Sequence, residues 1–414
     1  MKTRELTHEL LGDALRAAVL AQDFGSTGDP ERRGLPLAHH PSIDLAVAAF
    51  APHRPPVWAN VLFSREHPHG LVAAMAANAG AIQNVRFQAD QTDKALKSVA
   101  WSHDANWDAM HWKPLAGPAD APRFVQPYPA SLIKLMLLVG VAHAIELGRG
   151  AWEATWCHGG RARALFDWAF DMTAQSCNES TSALVSWAHA EKLIRREGRR
   201  EVFNAIEELF WNYGLETLRF ANTRDDGGWG NAAGAGVGHL QMTAWDTVRL
   251  LWLLDPYAPP APWLTAGRQP ILSPSNRARV IDCLAAQGLH GILSSSLLAG
   301  LPGWQAGIPA AVPERWRRQD GSYFVAGQAF PPPAAGRDSL ARVDFAHKTG
   351  TTENYASDAG IVVGRPGLAQ RHYLVAVITN LGKRYAPAAP AFTTWRLPAL
   401  GALIDACITE WLEP

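Results

Sequence analysis

Residues 128–136 read YPASLIKLM, in which Ser131 and Lys134 form an S-x-x-K at the start of a helical stretch predicted over 130–147. Three positions are close to one turn of about 3.6 residues, so the two side chains share a face. A serine hydroxyl is a poor nucleophile until a neighbour takes its proton, and a lysine desolvated beside it is a base once burial lowers its pKa. The helix start adds unpaired N–H donors and the positive end of the helix dipole. Of the eight lysines, Lys134 alone has a serine three positions earlier, and it interrupts an otherwise apolar run, LIKLMLLVGVAHAI.

Two further motifs carry compatible chemistry. Ser176, Cys177 and Asn178 lie in MTAQSCNESTSALVSW between two helical segments, where a hydroxyl and a carboxamide project from one short turn. Ser and Asn are also favoured N-cap residues. Lys348, Thr349 and Gly350 end a strand signal in FAHKTGTT. A strand edge ending in glycine admits a substrate backbone, and Lys and Thr beside it suit a carboxylate.

In this order, S-x-x-K, S-x-N and K-T-G resemble the signature of the penicillin-recognising serine enzymes, the β-lactamase and DD-peptidase superfamily, and within it the class A β-lactamase-like proteins. The likeness extends to SCNESTSAL, LSPSNRARVIDCLAAQ and HKTGTTENYASDAGIVV and covers roughly 125–300 and 340–412. It implies a mixed α/β (α+β) fold of the β-lactamase/transpeptidase type, an antiparallel sheet flanked by helices plus an all-helical subdomain. It also implies that Ser131 is acylated, that Lys134 is its base or proton relay, and that Ser176 passes a proton to the leaving group. Asn178 would hold the substrate amide and Lys134. Lys348 would supply positive potential, Thr349 and Gly350 would border the substrate carboxylate, and the N–H groups of Ser131 and Thr351 would hold the oxyanion. The expected substrate is a small-molecule amide, ester or β-lactam, with no cofactor and no metal. An intracellular biosynthetic amide or peptide hydrolase, an aminolysing transacylase and a penicillin sensor acylated once remain alternatives.

Departures from the family accompany the likeness. The loop expected to hold a deacylating glutamate reads ANTRDDGGWGNAAGAGVGH, with no E-x-x-L-N; Asp225 and Asp226 are its only acids. Ser131 and Ser176 lie 45 positions apart and Ser176 and Lys348 lie 172 apart, short and long for the family.

Composition narrows the classes. Over 414 residues, 38 Lys+Arg balance 38 Asp+Glu, so no basic excess points to nucleic acid. With 48% hydrophobic and 18% charged residues the chain can bury a large core. The four cysteines, Cys157, Cys177, Cys283 and Cys407, form no C-x-x-C and read as reduced thiols. Glu5, Glu9 and Asp13 interrupt the first segment, unlike a signal peptide, and no run of about 18 apolar residues suits a bilayer, so a soluble, cytoplasmic protein is expected.

Patterning predicts an opening helix over 6–22, strands at 43–50 and 57–63, the first of which suits a helix equally well, and helices at 130–147, 161–195, 200–213, 243–254, near 275–287 and at 397–412. Strand signals VDFAHKTG, SDAGIVVG and YLVAVIT precede the last helix. The expected organisation is a discontinuous α/β domain, 1–128 with 260–414, carrying an insertion near 303–342, and a helical domain, 129–259. The stretch 71–127 is mixed: a small-residue run, LVAAMAANAGAI, precedes Trp101, Trp107 and Trp112. His39–His40 and His67–His69 lack ligand-like neighbours and read as solvated loops. Gly234, Gly236 and Gly238 do not fit a dinucleotide fingerprint, and the 17 tryptophans read as packing residues.

Overall fold

The strand that ends in K-T-G lies at the edge of an antiparallel sheet. The computed structural model describes residues 6–94, 98–100, 102, 104–332 and 341–412. Among them six strands form this sheet: β1 (Ile43–Ala49), β2 (Val57–Phe63), β3 (Leu71–Val72), β4 (Val343–Thr351), β5 (Ala356–Gly364) and β6 (His372–Thr379), in the order β4-β5-β6-β1-β2-β3. Eight α-helices accompany it: α1 (His8–Ala21), α2 (Lys134–Glu146), α3 (Leu165–Ala174), α4 (Asn178–Ala190), α5 (Ala205–Asn212), α6 (Ala244–Leu254), α7 (Pro274–Ala285) and α8 (Arg396–Leu412).

Both faces of the sheet are covered, which is why β1 and β2 are apolar at nearly every position and buried at all of them. Successive side chains point to opposite faces. Ile43, Leu45, Val47 and Val375 pack with Leu11, Leu15 and Val19 of α1 and with Leu397, Leu400 and Ile404 of α8. Ala46, Ala48, Leu62, Ala359, Leu374 and Ala376 face the core formed with α2 to α7. Asp44 of β1 ties sheet to helix: its carboxylate accepts the Ala244 N–H at 2.7 Å and the Asn60 amide at 2.8 Å, and burial pushes its pKa up to about 6.

Every residue of α2 from Lys134 to Ala142 is buried. A helix apolar all round belongs in an interior. It carries Lys134 in with it.

The strands at 43–49 and 57–63, the three near the end of the chain and the first and last helices lie where patterning places them. The helical reading of 161–195 fails at both ends and breaks between Leu165–Ala174 and Asn178–Ala190, and that of 200–213 fails at its start. Thr155–His158 pairs with Arg161–Ala164 across Gly159 and Gly160, both at positive φ, and Ile194–Glu197 pairs with Arg200–Asn204 across Gly198 at φ +57. Positive φ at adjacent central residues matches the twist of a hairpin and is readily adopted by glycine. LVAAMAANAGAI is not helical either: its first two residues are β3 and Met75 bridges Ile82.

The mixed stretch supplies a second sheet, in which Arg86–Ala89 runs antiparallel to Lys113–Ala116 and parallel to Arg123–Gln126. Trp107 and Trp112 are buried there with ring centroids 5.5 Å apart, while Trp101 lies outside the described residues. In the expected insertion, residues 303–332 and 341–342 are described and contain one hairpin, Tyr323–Val325 with Gln328–Phe330. No helix among the described residues is long and apolar enough to cross a membrane.

Candidate active site

Ser131 sits in a 3-10 turn, Ala130–Ile133, that runs directly into α2, so Lys134 is the first residue of the α-helix. The turn is entered through Ala130 at φ +51, a left-handed conformation that costs a residue with a Cβ about 1–3 kcal/mol. Ser176 adopts φ +61 immediately before α4. Such strain persists only where surrounding structure holds it; here Ala130 precedes the candidate Ser131 and Ser176 is itself a candidate.

The lysine is fully buried and its Nζ contacts three oxygens: Ser176 O at 2.6 Å, Asn178 Oδ1 at 2.8 Å and Ser176 Oγ at 3.2 Å. Burial drives its pKa well below the ordinary lysine value, and the nearby Lys348 lowers it further. Lys348 Nζ donates to the same Ser176 Oγ at 3.1 Å and to its neighbour's carbonyl, Thr349 O, at 2.6 Å. It too is fully buried, which lowers its pKa to about 7 against a partial counterweight from Asp358. The structure therefore brings Lys134, Ser176, Asn178 and Lys348 into one hydrogen-bonded group beside the Ser131 turn. Ser131 itself is half-buried.

Gly350 is where β4 meets the Ser131 turn. A Cβ there would stand 2.5 Å from Pro129 O and 2.7 Å from the Leu132 nitrogen. Only a glycine lets strand and turn approach this closely. Ser357, paired with Gly350 across β4 and β5, donates to Pro129 O at 2.5 Å and fastens the same junction. Thr349 is buried, and Thr351, at the end of β4, is half-buried.

Several neighbours were not among the sequence candidates. On the sheet face opposite Lys348, His347 Nδ1 lies 2.7 Å from Asp358 Oδ1, and its Nε2 lies 3.3 Å from His290 Nε2. Asp358 also accepts the Leu293 N–H at 3.0 Å, and His290 Nδ1 lies 3.1 Å from Ser294 Oγ. A buried polar chain is thus fully partnered behind the K-T-G strand. Asp90 accepts from Ser98 and from the hydroxyl of Tyr355, whose ring packs edge-on against Tyr128 at 5.7 Å. The second sheet thereby braces both the segment before Ser131 and the turn after K-T-G. Trp229, from the glycine-rich loop, places its ring 5.4 Å from Lys134 Nζ. Its tryptophan-in-glycine setting was the one signal in the sequence that marked it.

Asp225 and Asp226 are both exposed; Asp226 pairs with Arg224 at 2.9 Å and accepts the Gly228 N–H. No hydrogen bond among the described residues connects either to Lys134 or Ser176. The loop meets α4 through Gly227, where a Cβ would stand 2.5 Å from Ser182 O. His40 Nδ1 and His67 Nε2 contact the carbonyls of Pro41 and Arg123, and among the described residues no three His, Cys, Asp or Glu side chains converge as metal ligands.

No protein-family model matches the chain and no curated protein matches it in sequence. Solved structures similar to it include a β-lactamase from Sphaerobacter thermophilus, 13% identical over 96% of each chain with a TM-score of 0.44. A β-lactamase from Xanthomonas campestris is 12% identical over 96% of this chain and 97% of its own, with a TM-score of 0.45. PBP-A is 17% identical over 74% of this chain and 84% of its own, with a TM-score of 0.38.

Proposed function

We propose that the protein is a serine acyl-transfer enzyme of the β-lactamase and penicillin-binding type, which attacks a small amide, ester or β-lactam through Ser131. The observation that carries this is the Ser176 hydroxyl, held between the Nζ atoms of Lys134 and Lys348 at 3.2 and 3.1 Å. In the acylation step neutral Lys134 takes the Ser131 hydroxyl proton as Oγ bonds to the carbonyl carbon. The tetrahedral oxyanion is held by the N–H groups of Ser131 and Thr351. The proton then moves from Lys134 through Ser176 to the departing nitrogen or oxygen as its bond to carbon breaks, leaving an ester on Ser131 and a neutral Lys134. Asn178 holds Lys134 and the substrate amide, while Lys348, Thr349 and Gly350 receive a substrate carboxylate. The same proposal divides the chain into an α/β unit, 1–128 with 260–414, and a helical unit, 129–259.

Slow deacylation is part of the proposal, because both loop acids are exposed and the ring of Trp229, rather than a carboxylate, faces Lys134. Hydrolysis of an acyl-enzyme needs a positioned water and a base. With a chromogenic penicillin or cephalosporin the expected course is a burst of about one equivalent followed by slow turnover. Absence of any burst or labelling across β-lactams and activated esters would contradict the proposal; fast turnover without a trappable adduct would contradict slow deacylation alone.

A further inference from the structure

The segment KLIRREGRR, residues 192–200, has no role in the acyl-transfer site, yet it builds a concave basic surface behind the glycine-rich loop. Lys192, Arg195, Arg196 and Arg199, with Arg224 and His189, line a cavity of about 1000 Å³ in which Asp225 is the only acidic residue. Arg196 is half-buried and donates to Asn222 Oδ1 at 3.0 Å and Thr223 O at 2.9 Å. His189 Nε2 lies 3.0 Å from Thr223 Oγ1 and holds the same loop start. Arg195 stacks its guanidinium over Phe203 at 4.7 Å, which fixes its direction without neutralising it. Arg224 is paired with Asp226, but among the described residues no carboxylate pairs with Lys192, Arg195 or Arg199.

Unpaired cations gathered in one concavity of a chain with no net charge create a local field rather than a general one. Guanidinium forks match the oxygens of phosphate, and the lysine adds a point charge. We infer that this groove is a binding site for a small polyphosphate anion, a di- or triphosphate group free or on a larger molecule. The concave shape and the short span of the cations along one hairpin suit a compact anion of several charges better than the flat face of an acidic protein. This site is separate from the Ser131 site and does not depend on the acyl-transfer proposal.

The test is calorimetric titration of the full chain with inorganic tripolyphosphate, pyrophosphate and ADP at about 0.15 M salt, where charges beyond roughly 8 Å are screened. One saturable site is expected, weakened at least about tenfold in the double variant Arg195→Glu/Arg199→Glu, whose changed residues are exposed and whose folding is checked by an unchanged melting temperature. Binding of ADP but not of the inorganic anions would place the phosphate on a larger ligand and still support the site. Three results would overturn it: no saturable binding at millimolar anion, equal binding by the double variant, or binding of heparin or an acidic peptide without binding of any phosphate probe.

Discussion

One oxygen, Ser176 Oγ, lies within hydrogen-bond distance of both buried lysine nitrogens, 3.2 Å from Lys134 and 3.1 Å from Lys348. Two ammonium groups cannot share one small dry site cheaply, since burial and the second charge both disfavour protonation. The environment of Lys134 is the less favourable to charge: its pKa falls well below normal, while that of Lys348 falls to about 7 with Asp358 opposing the drop. The arrangement thus favours a neutral Lys134, able to accept a proton, beside a Lys348 that is charged below about pH 7.

From the Lys348 value follows a substrate-dependent pH profile. The cation is present below about pH 7 and lost as pH rises through it. Acylation by a penicillin carrying its free carboxylate should therefore decline across that range more steeply than acylation by the corresponding neutral ester. In Lys348→Ala the difference between the two profiles should vanish, as read by stopped-flow acylation rates. Parallel profiles in the native protein would remove charge recognition from Lys348.

Asp358 opposes the fall in the Lys348 pKa, so Asp358→Asn should move that decline to lower pH rather than merely reduce the rate. The amide retains an acceptor for the Leu293 N–H, which Asp358 Oδ2 now receives at 3.0 Å. The readout is the midpoint of the acylation profile with the anionic substrate. A purely structural role would lower the melting temperature and leave the midpoint in place.

Gly350→Ala should damage both fold and site, because the added Cβ would meet backbone atoms of the Ser131 turn at 2.5 and 2.7 Å. Overpacking of this kind costs about 1–3 kcal/mol. A lower melting temperature should accompany an acylation rate reduced at least about tenfold. Gly160→Ala provides a comparison: its φ is +77, but nothing lies within 4 Å of its Cβ position, so it carries backbone strain without a clash.

Trp229→Ala should admit water to Lys134 Nζ, which the indole ring approaches to 5.4 Å. Desolvation is the largest cause of the lowered lysine pKa, so hydration raises it. The pH at which Lys134 becomes a competent base then moves upward, shifting the acidic limb of the acylation profile with a neutral ester to higher pH. An unmoved limb would show that the ring contributes packing alone.

The local patterns mark the candidate site, while the long-range contacts are not legible in the sequence. S-x-x-K, S-x-N and K-T-G each fall within four residues and begin or end an element, so spacing and hydrophobic periodicity suffice to place them. Nothing local predicts Asp90 meeting Tyr355, 265 positions away, or His290 meeting His347 across 57. Likewise Ala130 and Ser176 adopt φ +51 and +61, which their residue types disfavour and which only the assembled surroundings sustain. The hairpins over 155–164 and 194–204 are not legible in the pattern because their strands are short and largely arginine-rich, so no apolar alternation outweighs the adjoining helices.

The central claim is that Ser131 is the acylated atom. Intact-mass spectrometry after brief incubation with a penicillin and with an activated ester, followed by peptide mapping, tests it most directly. The native protein should gain one adduct per chain on the peptide containing residues 128–136, and Ser131→Ala, folded to the same melting temperature within a degree or so, should gain none. Equal labelling of the two proteins, or an adduct mapping to Cys157, Cys177 or Ser176, would contradict the account.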